Sequence, residues 1–218
     1  KESSAASDVY KRQIYRSEDF KKAIQEMQMY MSDEAWDLDV APHPGAGSKI
    51  PLTILGSSET SAHIAAELGL PYSFAGHFAP NTIGYALSIY RNEFKPSKYL
   101  EKPYVILGTS VNIAKNKDQA EALKKHAQNI SLQFLRKERK EFMKLDPDNE
   151  PELTSMEKFV LRTSKGLSIE GDIDEAAKTW KLIKEEYKPD EVIGASYIPE
   201  TDVLIDNYKY FEDIILNG

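Results

Sequence analysis

The stretch Leu52-Thr53-Ile54-Leu55-Gly56-Ser57-Ser58-Glu59-Thr60-Ser61-Ala62, continued by Ala65-Ala66-Glu67-Leu68-Gly69-Leu70-Pro71-Tyr72-Ser73-Phe74-Ala75-Gly76-His77-Phe78, decides the fold. A short apolar run ends in Gly-Ser-Ser, a helix opens at Ser61-Ala62, Gly69 closes it, and a second apolar run stops beside a histidine. This is a strand, a loop large enough for a phosphate, a helix and a second strand. A helix N-terminus leaves backbone N–H groups without internal acceptors and carries the positive end of the helix dipole, which makes it a ready anion site. On that reading Gly56 lets a ligand approach the backbone. Serines in front of a helix also serve as plain caps, and the segment alone supports either role.

Outward from this unit the chain keeps alternating apolar runs with helical periods. The strand candidates are Leu52 to Leu55, Tyr72 to Ala75, Tyr104 to Ile113 and Glu191 to Ala195. Helices are expected over Ser61 to Leu68, Thr82 to Glu93, Lys117 to Arg139, Ile173 to Tyr187 and Val203 to Leu216. An earlier one over Glu18 to Met31 carries Phe20, Ile24, Met27 and Met31 on one stripe behind the cap candidate Ser17. Asp172 is placed as a further cap, with Glu175 as its partner. Such alternation predicts a parallel sheet with right-handed crossovers. The Pro- and Gly-rich stretch from Asp33 to Ile50 reads as an irregular connection with His43 facing solvent. The alternating charges from Arg136 to Glu141, running into Asp146-Pro147-Asp148, read as a solvated helix end.

Composition narrows the function. The net charge of -7 argues against a general nucleic-acid binder, which needs a basic surface to neutralise phosphates. No apolar run approaches the roughly 20 residues of a membrane helix. The absence of cysteine excludes disulfides, thiolate metal sites and thiol nucleophiles, and fits a cytoplasmic protein. The four histidines lack metal-ligand spacing. Gly56-Ser57-Ser58 is not a Gly-x-Ser-x-Gly nucleophile elbow, and neither a Walker-type loop nor a Gly-x-Gly-x-x-Gly turn occurs.

The order Ala65-Ala66-x-Leu68-Gly69-Leu70-Pro71 and Phe74-Ala75-x-His77-Phe78 closely resembles the bacterial-luciferase-like flavin monooxygenases. The likeness continues through Tyr90-Arg91-x-x-Phe94-x-Pro96-Ser97-x-x-Leu100-x-Lys102-Pro103-Tyr104-Val105, covering residues 50 to 130 strongly and 165 to 216 weakly. The resemblance implies an α/β fold of the (β/α)8 TIM-barrel type. A complete barrel needs about 250 residues and eight strands. The chain is therefore expected to hold only the C-terminal part of the barrel, about four parallel strands with outer helices, and to be a fragment of a longer parent. Residues 14–218 would form that partial domain and residues 1–13 a disordered or non-native tail. Asp8-Val9-Tyr10-Lys11-Arg12-Gln13 matches one translated frame of a sequencing transposon adapter, the alternative being an ordinary polar N-terminus.

The resemblance also implies roles. Ser58 and Ser61 fall where luciferase-like enzymes hold the phosphate of reduced FMN, with Gly56 and Ser57 shaping the turn and the Ala62 N–H completing the cradle. His77 falls among residues lining the flavin and substrate pocket, as a hydrogen-bond donor to an oxygen at the flavin's reactive edge or on the substrate. Its alternative is a histidine packed at a strand end. His63 and His126 fall on helices and are expected to face solvent or the helix layer. The implied activity is oxidation of a small organic substrate by O2 and reduced flavin in a water-poor pocket, the flavin supplied by a separate reductase and the parent a homo-oligomer. Two readings stay beside it: an F420-dependent oxidoreductase of the same superfamily, and a non-catalytic flavin-binding protein on an incomplete barrel.

Overall fold

The computed structural model of the chain describes residues 17–138, 145, 151–163 and 165–218. Its contacts divide it into two units, Lys1–Thr53 and Ile54–Gly218. The boundary expected after residue 13 and most of the charged run beyond Arg136 lie outside the described residues.

The first unit contains α1 (Ser17–Tyr30), with Glu18 and Asp19 in the first turn where the dipole favours negative charge. A one-turn 3-10 helix follows at Asp33–Asp37, inside the segment read as irregular. The rest of that segment folds back on the helix end. The Gly47 N–H donates to the Ser32 carbonyl at 3.0 Å and the Lys49 N–H to the Met31 carbonyl at 2.9 Å. An ion pair of 2.6 Å joins Lys49 to Asp33. His43 is exposed, as expected, with its ring edge-on to Trp36 at 4.9 Å.

The second unit is a parallel sheet with helices between its strands. In chain order it runs β1 (Ile54–Gly56), α2 (Glu59–Leu68), β2 (Tyr72–Ala75), α3 (Ile83–Glu93), β3 (Val105–Ala114), α4 (Lys117–Arg136), α5 (Ser155–Thr163), β4 (Ser168–Asp172), α6 (Ile173–Tyr187), β5 (Glu191–Ala195) and α7 (Thr201–Asn217). The boundaries follow local chemistry. Ser58, Asn116 and Asp172 cap α2, α4 and α6 by accepting the backbone N–H three residues on. Gly69, at φ 61°, ends α2 in the left-handed conformation that glycine adopts without strain.

β3 is the hub of the sheet. Its first residues pair with β2, Tyr72 opposite Val105 through Ala75 opposite Gly108, and β5 pairs from Ile106 to Ser110. The far half of β3, Ser110 to Ala114, carries β4. Among the described residues β1 pairs only with β2, Ile54 opposite Tyr72. Among the described residues five strands are thus present where about four were expected, the addition being β4. Alternation sorts the side chains by face. Ile54, Tyr72, Phe74, Val105, Leu107 and Val111 are all buried. On the opposite face the register aligns Leu55 with Ser73 and Ile106, and Gly108 with Ile193. There Leu55 is 69% and Ile193 49% exposed. The face that would look into a closed barrel is therefore open at β1 and at β5, each of which has a single strand partner among the described residues.

Candidate functional site

The carboxyl end of β1 turns into α2 through Gly56, Ser57 and Ser58. Ser58 and Ser61 make a reciprocal capping box: the Ser61 N–H donates to Ser58 Oγ, and the Ser58 N–H to Ser61 Oγ, both at 3.3 Å. Ser61 Oγ also donates to the Ser58 carbonyl at 2.7 Å and lies 2.9 Å from the Tyr72 hydroxyl. Tyr72 itself donates to the Ser58 carbonyl at 3.1 Å. Burial pushes the Tyr72 phenol above its ordinary value, with the Ser61 bond pulling the other way, so it stays a donor at neutral pH.

This geometry gives the residues of the turn structural contacts of their own. A Cβ on Gly56 would sit 2.2 Å from Ser61 Oγ and 2.4 Å from Ser61 Cβ, so the space left by the glycine is occupied by Ser61. The glycine is required for close strand–helix packing. The Ala62 N–H donates to the Ser58 carbonyl at 3.2 Å, and Ala62 is fully buried, so this donor belongs to the first helical bond. Ser61 is turned inward and holds the turn's shape. The Ser57 carbonyl accepts from Thr82 at 3.4 Å, fastening the loop after β2 to the turn. What faces outward is Ser58, whose oxygen accepts from Ser61 while its proton has only the 3.3 Å contact with Ser61 Oγ to compete for it. The first-turn N–H groups of Glu59 and Thr60 have no acceptor among the described residues. The exposed Glu59 carboxylate stands beside this set and must point to solvent if an anion binds.

Phe74 pairs with Gly56, so His77, three residues beyond Phe74, lies one strand away from the turn. Its ring packs against Phe78 at a 50° tilt, with centroids 4.1 Å apart. Gly108 on β3 passes beneath: a Cβ there would lie 3.3 Å from the imidazole. A Cβ on Gly166 would fall on the His77 carbonyl at 1.9 Å, and the Leu167 N–H donates to the Gly76 carbonyl at 2.9 Å. His77 Nδ1 is buried and has no hydrogen-bond partner among the described residues. The ring borders a cleft of about 400 Å³ between β3, α4, α5 and β4. A buried ring nitrogen without a partner is costly unless something supplies one.

The other histidines have assigned contacts. His63 is exposed and pairs with Glu93 at 2.6 Å. His126 is buried in the helix layer, its Nε2 3.1 Å from the Tyr197 carbonyl just after β5. Ser196 donates to Asn112 on β3 at 3.3 Å. Among the described residues no cluster of three metal-binding side chains occurs and no helix is long and apolar enough to cross a membrane. Thr82, Tyr72, Gly166 and the Glu59 and Thr60 N–H groups were not singled out by sequence reasoning. For the last two the only signal is their place in the first turn after a cap.

Residues 19–182 match the luciferase-like monooxygenase family, and the chain belongs to it. It is 32% identical over 199 residues to the uncharacterized protein YddN of Bacillus subtilis (strain 168), covering 90% of this chain and 58% of that protein. A protein named luciferase-like monooxygenase from Escherichia coli (strain K12) is 32% identical over 175 residues, 80% of this chain and 52% of its own length. The chain thus spans a little over half the length of these relatives. The crystal structure of apo-MsnO8 superposes with a TM-score of 0.79 at 19% identity, over 92% of this chain and 61% of that one. Long-chain alkane monooxygenase LadA gives 0.54 at 12% identity, over 92% and 57%. These likenesses show the fold: a TIM-barrel-type parallel sheet, present here in part.

Proposed function

We propose that this member of the luciferase-like monooxygenase family holds the phosphate of reduced FMN at the N-terminus of α2 and uses His77 in the wall of the pocket where a small organic substrate is oxidised by O2. The observation that carries this reading is the outward donor set at the carboxyl end of β1: the Ser58 hydroxyl and the N–H groups of Glu59 and Thr60. These donors are neutral and fixed by the capping box, so they can accept a dianion without the desolvation of a lysine. Ser61, Gly56 and Tyr72 hold the turn in shape, and Thr82 ties it to the loop that presents His77. When bound, reduced flavin supplies the electrons for oxygen activation; the protein's part is to anchor, orient and exclude water. His77 offers a ring nitrogen to an oxygen in the adjacent pocket, and the tilted Phe78 contact and Gly108 fix the plane of the ring.

The test is a titration of the 218-residue chain with FMN and with the deazaflavin F420, read by flavin fluorescence. Ser58→Ala is expected to weaken FMN binding by about 1–2 kcal/mol, or roughly 5- to 30-fold, the loss of one hydrogen bond to a charged acceptor. Unchanged affinity in this variant returns Ser58 to the role of a plain cap. Tighter binding of F420 than of FMN replaces the cofactor in this proposal.

A further inference from the structure

The chain as a whole is acidic, yet the charged side chains around one cleft are cations with a single exception. Around the 400 Å³ space beside His77 stand Lys124, Lys158, Arg162 and Lys165 against a single carboxylate, Glu170. The sequence as a whole carries 28 Lys and Arg against 35 Asp and Glu, so this local excess runs against the average. It follows from helical spacing. Lys158, Leu161 and Arg162 recur at the three- and four-residue steps that share a helix face, and so do Lys124, Ala127 and Gln128. α5 therefore turns two cations, Lys158 and Arg162, toward the space that α4 faces with Lys124. Glu170 is already paired with Lys165, and Lys124 with Glu121 at 3.6 Å. Lys158 and Arg162 have no carboxylate partner among the described residues. Like charges facing one cavity repel, so the arrangement gains most when an anion lies between them.

The walls are not uniformly polar. Leu153, Leu161 and Ala127 supply apolar surface, and the space suits a ligand of drug-like size. His77 Nδ1 adds a buried, unpartnered ring nitrogen to the same cleft. We infer that this cleft binds a small organic anion, its carboxylate or sulfonate group held between Lys158 and Arg162 and its apolar body against Leu161 and Leu153. That the anion is the oxidised substrate rests on the function proposed above, because His77 is shared; that an anion binds does not.

The experiment uses the flavin-free 218-residue chain, titrated by calorimetry with benzoate, benzenesulfonate, the neutral isostere benzyl alcohol and inorganic phosphate. Benzoate or benzenesulfonate is expected to bind at least tenfold more tightly than benzyl alcohol. The exposed double variant Lys158→Gln/Arg162→Gln should lose at least tenfold of that affinity, while Lys209→Gln, remote on α7, loses none. Melting temperatures of all variants guard against unfolding. Equal binding of alcohol and anion, or no change in the double variant, overturns the inference. So does a preference for inorganic phosphate, which would make the cleft a phosphate site. Ser58→Ala keeps the two proposals apart: it should leave benzoate affinity unchanged while weakening FMN, so either can fail alone.

Discussion

Replacing Gly56 with alanine tests the packing that shapes the α2 turn. The added Cβ would sit 2.2 Å from Ser61 Oγ and 2.4 Å from Ser61 Cβ. Ser61 cannot swing aside freely, because its hydroxyl is engaged by Ser58 and Tyr72. Forced overpacking costs about 1–3 kcal/mol, and losing a Ser61 hydrogen bond about 1 more. Against this, alanine restricts the unfolded chain by about 0.4–1 kcal/mol. The clash wins, and a net loss of about 1–3.5 kcal/mol should lower the melting temperature by about 2–14 °C for a chain of this size. The decisive measurement is a double-mutant cycle by calorimetry. Ser61→Gly removes both atoms in contact, so Gly56→Ala/Ser61→Gly should be at least about 1 kcal/mol more stable than the sum of the single losses. Strict additivity, or a Gly56→Ala protein that melts like the parent, would refute the claim that the glycine exists to admit Ser61.

Other outcomes follow from the same structure. In a full-length parent His77→Ala should leave FMN affinity within about threefold, under roughly 0.7 kcal/mol, while substrate turnover falls about 100-fold or more if the ring positions a proton; a stability loss with turnover intact would make it a packing histidine. Tyr90 donates to the Leu70 carbonyl at 2.9 Å and accepts from the Tyr104 N–H at 3.0 Å, so Tyr90→Phe should cost about 1–3 kcal/mol in denaturant titration. Burial raises the Tyr90 phenol to about 12, so its contribution is complete below pH 10 and declines as pH climbs toward 12. Alkaline melts should show that decline in the parent and less of it in Tyr90→Phe. Glu157, held down to about 2 chiefly by the Arg136 guanidinium and then by Thr154, should fasten α5 fully above about pH 4.5 and release it as pH falls through 2. Protease sensitivity within 151–163 should rise over that interval, and Arg136→Gln should show the rise at higher pH.

The strands that could be read from sequence are those with a short apolar or β-branched run between turn residues. Tyr72–Ala75 and Glu191–Ala195 have the expected limits, and β3 is shifted by a single residue. β4 has no such signal. Ser-Ile-Glu-Gly-Asp contains one buried apolar residue, Ile169, and extends because β3 offers an edge from Ser110 to Ala114. A partner dictates that strand. α5 begins just after a proline- and acid-rich segment that hides its amphipathic period, and its N-terminal contact, Glu157 to Arg136, spans 21 residues. At the site, Ser58 and His77 were visible because residue type and motif order single them out. That Ser61 fills the hollow of Gly56 and meets Tyr72 depends on a strand 11 residues away, which periodicity cannot report. The basic cleft likewise unites residues from 77 to 170.

β3 also sets a timetable for the nascent chain. Its β2 partner precedes it, but β5, which occupies the same Ile106-to-Ser110 segment from the other side, is encoded some 77 residues after β3 ends. At about 5–20 residues per second of synthesis, that side stays bare for roughly 4–15 s, long compared with collapse or hairpin formation. During this interval a buried-to-be apolar ribbon is available to any extended chain nearby. Its late covering by Glu191–Ala195 makes the ribosome-bound intermediate, more than the finished protein, the species on which a chaperone would act.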